Sequence, residues 1–307
     1  MRLCTAAAEG IAPFLGVELG GKILRLAAAS AVADPKAPAL PGDMMAFLQG
    51  LPKTEAAARK LLQRVAENPK AFLRQKGPDG HPVLLPAAKV RFLPPVPRPA
   101  KILCIGLNYH DHCAEQNAPL PDFPLVFAKF ATSLLGHGAE IPLPVKVDGL
   151  MDYEGELAFV IGRTAKNVAA RSAMKHVAGY TILHDVSARS LQKREKQWTR
   201  AKGFDGSAPC GPVLVTADEV PDPHALALET RLNGKTMQKS STAQLIFKIP
   251  KLIAHITRMI TLEPGDIVAT GTPAGVGQWR NPPVYLKKGD LVEIEIERIG
   301  KLANRCG

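Results

Sequence analysis

Hydrophobic positions along this chain recur mostly with a period of two, in short runs closed by turn residues, and only locally with the 3.6-residue period of a helix. Within residues 1–30, GVELGGKILRLA sets a Gly-Gly turn between two apolar segments, so two or three short strands are expected. Two helices are expected next. The shorter is GDMMAFLQG. The longer is TEAAARKLLQRVAE, in which Thr54 suits the N-cap, Glu55 the first turn, and Ala57, Leu61, Leu62 and Val65 form one apolar stripe. A proline-dense passage follows, with prolines at 82, 86, 94, 95, 97 and 99. It resists regular structure and places a domain boundary near residue 95.

Beyond that boundary the pattern turns strand-rich. KILCIGL, LVFAKF, ELAFVIG, HVAGYTILHDV, GPVLVT, LALETRLNG, DIVATGTP and DLVEIEIERIG read as strands, NYHDHCAEQN reads as a short helix, and a helix is expected to start over Ser187–Gln192. The frequent turns and alternating faces predict a curved mixed or antiparallel sheet rather than a βαβ array. The expected fold is therefore α+β and β-rich, with a small domain over 1–95 and a larger one over 96–307. No internal repeat or low-complexity segment interrupts it.

Composition narrows the class of protein. Apolar content of 46% and charged content of 22% fit a globular protein, and no apolar run reaches the length of a membrane-spanning helix. No sustained apolar stretch precedes a cleavage site near the N-terminus, so no signal peptide is expected. Five scattered cysteines without a C-x-x-C pair favour reduced thiols and a cytoplasmic setting over disulfides or a zinc-thiolate site. The net charge of +11 is spread along the chain, at 13 basic against 7 acidic residues over 1–95 and 26 against 21 over 96–307. No aromatic RNA-binding motif, zinc-finger spacing or basic-region heptad accompanies it, and no nucleic-acid partner is expected. The positive field serves either solubility or the attraction of a small anionic substrate.

Candidate chemistry begins in MDYEGELAFVIG. Glu154 and Glu156 stand two apart at the mouth of an apolar strand, so they share a face. One reading is a sheet rim where both meet water or lysines. The other is a hard-cation site, because carboxylate oxygens are what Mg²⁺ and Mn²⁺ prefer. A third carboxylate, Asp185, ends the strand HVAGYTILHD, where it would otherwise serve as a helix N-cap. Three carboxylates on one divalent ion leave about three positions for water or a chelating 2-oxo acid or 1,3-dicarbonyl. In GLNYHDHCAEQ, His112 and Glu115 are i and i+3 on a helix: either a solvated face or a carboxylate-oriented base. His110 and His112 as a zinc pair are set aside, since two residues apart on a helix points them roughly 200° apart. Arg189, four residues after Asp185 and on the same expected helical face, and Lys202 are candidates to clamp a carboxylate or polarise a carbonyl. In DIVATGTPAGVG, Gly271 allows close backbone approach, and the hydroxyls of Thr270 and Thr272 are candidate ligand contacts.

IGLNYHDHCAEQ, DYEGELAFVIG, GYTILHDVSAR, the KGFD segment and GDIVATGTPAGVG occur in that order, and together they resemble the fumarylacetoacetate hydrolase family, closest to its domain-containing members. The resemblance covers residues 96–307 well and the first 95 more loosely. It implies a rolled mixed-sheet catalytic domain behind a small N-terminal α/β domain, and a homodimer. It also implies Mg²⁺ or Mn²⁺ on Glu154, Glu156 and Asp185, and a water-activating His112/Glu115 dyad on a mobile lid. Lys202 is then catalytic, and Arg189, Gln192, Gly271 and Thr272 bind a small anionic 2-oxo or dicarbonyl acid. The implied activity is C–C hydrolysis of acylpyruvate-type or β-diketo acids through an enolate. Alternatives on the same site are an oxaloacetate-type tautomerase or decarboxylase, and a non-catalytic metal- or anion-binding protein. Two positions depart from the family pattern: Ser190 stands where Asp is common after S-A-R, and Gly206 and Ser207 stand where bulkier residues are frequent.

Overall fold

Alternation in the strand Gly155–Ile161 determines how the molecule is layered. Leu157, Phe159 and Ile161 face one hydrophobic core, while Ala158 and Val160 face a second. The computed structural model describes all 307 residues, and this strand lies in the middle of a 12-stranded mixed sheet. The sheet runs in space through Leu84–Pro86, Lys22–Arg25, Ile11–Leu19, Arg2–Ala8, Ala208–Thr216, Val177–His184, Gly155–Ile161, Ile267–Ala269, Ile102–Gly106 and Leu125–Lys129. Most pairings are antiparallel, but Ile267–Ala269 runs parallel to Ile102–Gly106. The fold is α+β and β-rich, as the alternating pattern predicts.

The first core packs one face of this sheet against a four-stranded antiparallel sheet, ordered Lys235–Ser241, Ala227–Leu232, Leu291–Ile296 and Gly300–Arg305, and against the helix Ile249–Ile256. The second core packs the other face under the N-terminal helices Met44–Gln49 and Lys53–Glu67. Arg2–Ala8 pairs with Ala208–Thr216, so the main sheet continues across the proline-rich passage.

Three local expectations need correction. The long helix begins at Lys53 with Pro52 at its N-cap, and Thr54 instead donates its hydroxyl to the Phe47 carbonyl, 2.7 Å away. Its buried stripe is Ala58, Leu61 and Val65, with Ala57 exposed, because the face that meets the second core follows a spacing of three and four residues through those positions. After Asp185 the chain forms a two-residue ladder, Ser187–Ala188 against Met151–Asp152, and the helix starts only at Arg189. Asp185 is therefore not a helix N-cap, and Arg189 does not share a helical face with it.

Candidate metal centre and its surroundings

Glu156, inside the strand, and Glu154, just before it, continue the Ala158–Val160 face, and the neighbouring strand carries Asp185 just beyond His184, which pairs with Gly155. Two-residue periodicity and antiparallel register therefore deliver three carboxylates to one point. One oxygen from each lies within 4.8 Å of the others, and all three residues are buried. The intervening Gly155 is forced by packing, since a Cβ there would run into the Thr230 hydroxyl. Its N–H donates to Gln238 Oε1 at 2.9 Å.

Three buried cations stand against this cluster. Lys202 Nζ donates to Glu154 Oε2 at 2.7 Å and Asp185 Oδ2 at 2.9 Å. Lys129 Nζ donates to Asp185 Oδ1 at 2.6 Å, and also to the carbonyls of Lys202 and Ser207. Arg189 pairs with Glu154 Oε1 at 2.6 Å and with Asp152 Oδ2 at 2.8 Å. Burial alone would raise the Glu154 carboxyl, but Lys202 and Arg189 outweigh it and hold the group at about 2. Burial favours the neutral form of Lys202, yet Asp185 and Glu154 turn the balance and hold its ammonium above the usual lysine range. Glu156 is different. It accepts from the Gly271 N–H at 2.8 Å and has no cationic side chain on it, so burial, then the Asp185 and Glu154 charges, push it well above the ordinary carboxylate range. Counting Asp152, four buried carboxylates face three buried cations. The uncompensated oxygens lie where three hard donors converge, and that donor set fits a divalent ion of the Mg²⁺ or Mn²⁺ kind.

The short helix His110–Glu115 lies over this cluster. His112 is buried on the inner side, and its Nδ1 meets Glu115 Oε2 at 3.1 Å, while His110 is exposed, as the rejection of a zinc pair required. Glu115 Oε1 also accepts from the Gly275 N–H at 2.8 Å, and Asp111 accepts from Ser240 Oγ at 2.5 Å. Asn108, before the helix, bonds both Phe247 and the Thr270 carbonyl. Gly271 sits at φ +100°, and a Cβ there would come within 2.9 Å of the Ile105 carbonyl, so glycine allows its N–H to reach Glu156.

Together these parts enclose a cavity of about 110 Å³ bounded by His112, Glu154, Glu156, Lys202 and Thr272. Arg189 and Gln192 also line it, joined by an Arg189 Nη1 to Gln192 Oε1 hydrogen bond of 3.0 Å. Thr272 is already engaged: its hydroxyl donates to the Gly155 carbonyl at 3.1 Å and accepts from Gln238 Nε2 at 2.8 Å. Thr270 is turned away, donating to the Leu157 carbonyl.

Sequence reasoning passed over Lys129, Asp152 and Gln238, all of which are buried polar groups of this site. Asp152 alone carried a signal, a third acid in MDYEGE. Lys129 and Gln238 lie in strands far away in sequence and carry none.

Comparison with known proteins agrees with this picture. The family described as fumarylacetoacetate (FAA) hydrolase, C-terminal, matches residues 101–306. The mitochondrial oxaloacetate tautomerase FAHD2A of Homo sapiens is 44% identical over 299 residues, covering 96% of this chain and 88% of its own. A fumarylacetoacetate hydrolase from the psychrophilic Exiguobacterium antarcticum is 33% identical, with a TM-score of 0.79 over 100% of this chain and 99% of that one. The maleylpyruvate hydrolase of Sphingobium sp. SYK-6, solved with manganese(II) and pyruvate, is 30% identical, with a TM-score of 0.76 over 100% of this chain and 98% of that one.

Proposed function

The chain belongs to the fumarylacetoacetate hydrolase family, and on that premise we propose that it is a divalent-metal-dependent enzyme that moves a proton next to the carbonyl of a small 2-oxo acid, with keto–enol tautomerisation of an oxaloacetate-type acid as its reaction. The observation that carries the reading is the buried cluster of Glu154, Glu156 and Asp185 with the His112–Glu115 pair above it. The likeness to oxaloacetate tautomerases, which extends over nearly the whole chain, favours this reaction over others.

In this reading Glu154, Glu156 and Asp185 hold Mg²⁺ or Mn²⁺, and the bound cation supplies electrophilic stabilisation of the developing enolate. Every other task falls to the chain. Glu115 fixes the Nδ1–H tautomer of His112 and leaves Nε2, which has no protein partner, to take a proton from the carbon beside the carbonyl. The same proton then returns to the carbonyl oxygen, so the reaction leaves the enzyme unchanged. Lys202, kept charged by its two carboxylates, adds a positive charge at the substrate's oxygen end. Arg189 is committed to Asp152 and Glu154, so it shapes and charges the wall through them, with Gln192 held on its other edge.

A second reading is hydrolysis of acylpyruvates. It is favoured by the same dyad, since a histidine fixed by a carboxylate also deprotonates water, and by the likeness to hydrolases of this fold. The two separate in one assay set: enol-to-keto conversion of oxaloacetate, and cleavage of acetylpyruvate, each with Mn²⁺, with chelator, and with His112→Ala. Tautomerisation that needs the cation and falls about 100-fold or more in His112→Ala is expected. Turnover that persists undiminished after metal removal would sink both readings.

A further inference from the structure

The small cavity over the carboxylates is only the inner part of a larger space. A vestibule of about 950 Å³ opens directly outside it, and Gln116, Arg189, Gln192, Trp198 and Gln278 border both. Its remaining walls include Leu150, Trp279 and Tyr285, with Lys193 and Arg194 on the rim, and no carboxylate lines it. Both tryptophans of the chain are therefore at this one place. Trp198 is held there by construction: it meets Phe127 edge-on, with ring centres 5.3 Å apart, and a Cβ on Gly106 would come within 2.6 Å of its ring. Trp279 stands opposite that order, 47% exposed, a large apolar ring left in water.

We infer that this vestibule is a second subsite, which takes a flat aryl arm of a 2-oxo acid whose head sits on the carboxylate cluster. The inference rests on the reading of the inner cavity as a 2-oxo acid site. A cavity of about 110 Å³ accommodates the head and little else, so any longer substituent must leave past Trp198 and Gln192 into the outer space. There, two indoles, a phenol ring and Leu150 offer the broad apolar faces that planar groups bury against. Lys193 and Arg194 make the mouth positive, which suits an acid entering head first. Substrates such as oxaloacetate would use the inner site alone, and the vestibule would extend the range to acids with a long planar arm.

The test compares two acids with the same head, pyruvate and 4-phenyl-2-oxobutanoate, neither of which is a dicarbonyl open to cleavage. Each is titrated calorimetrically into the full-length protein with Mn²⁺, and tryptophan emission is followed in parallel. The aryl acid is expected to bind at least tenfold more tightly than pyruvate, and it alone is expected to change the emission saturably. In Trp279→Ala, and separately in Tyr285→Ala, the preference should shrink to threefold or less, while the pyruvate Kd stays within twofold of the parent. Equal affinity for the two acids, or a preference untouched by both variants, would overturn this inference and leave the functional reading standing. Failure of both acids to bind the Mn²⁺-loaded protein would overturn the inference together with that reading.

Discussion

Glu156 is the acid of the cluster with no cation of its own, and this asymmetry makes separable predictions for single residues. Without metal, its charge is a burden on the fold; in the proposed metal site, it is a ligand. Glu156→Gln should leave the metal-free protein at least as stable as the parent, because the amide removes a repelling charge while keeping an oxygen for the Gly271 N–H. The thermal upshift on adding Mn²⁺ should vanish in this variant, whereas the parent should gain about 2.7 kcal/mol at a hundredfold excess over its Kd. Thermal melts with and without Mn²⁺ measure both. Lys129 is the opposite case. It compensates Asp185 and satisfies two carbonyls from a fully buried position. Lys129→Met leaves that carboxylate with Lys202 as its one remaining cation and leaves two buried carbonyls without this donor, and should cost about 1–3 kcal/mol of stability in urea unfolding. An unchanged midpoint would show that Asp185 is compensated from elsewhere.

At the scale of elements, helix ends and the short helix over the cluster are held by partners distant in sequence. The helix Ile249–Ile256 has no cap from its own N-cap residue, Lys248, and its first N–H donates to Nε2 of His224 at 3.2 Å. That bond requires neutral imidazole. Burial, with Lys248 adding to it and Asp222 opposing, holds His224 below its ordinary value of 6.5. The folded state thus binds fewer protons here than the unfolded chain. The stability this group contributes is complete above pH 6.5 and is lost as pH falls below it toward the lower folded value. His224→Gln should flatten that part of the stability curve between pH 7 and 5, as read by denaturant midpoints. The helix His110–Glu115 is likewise tied at Asp111 to Ser240 and at Glu115 to Gly275, so its placement over the cluster depends on two loops outside its own segment.

For the whole molecule, the continuous main sheet matters most. Arg2–Ala8 lies against Ala208–Thr216, and the N-terminal helices cover the face that carries Ala158, Val160, Leu183 and Leu214. A chain reduced to residues 96–307 would expose both a strand edge and that apolar face. It should be recovered as insoluble or aggregated protein, and adding Mn²⁺ should not rescue it. A monodisperse, metal-binding 96–307 fragment in size-exclusion chromatography would refute this. The second sheet contributes through Gln238, whose amide bonds both Gly155, between two of the carboxylates, and Thr272, across the cavity.

Much of this was readable along the chain. Period-two alternation identifies the strands, and it places Glu154 and Glu156 on one face, because strand geometry decides that locally. Five ordered motifs identify the family, and with it the place of Asp185 and His112. What local pattern cannot carry is the partner of each group. Lys129, Gln238 and Asp152 reach the site through pairings of strands and loops set by the sheet as a whole. Arg189 is drawn to Asp152 and Glu154 by a ladder that replaces the expected helical turn. The separation of the acids by charge, with Glu154 pushed low and Glu156 high, likewise follows from which cations the folded chain brings near. Covalent order determines which side chains exist and which way a strand presents them. Only tertiary packing decides which charges are buried together, because that balance is a property of the enclosed volume and not of any segment of sequence.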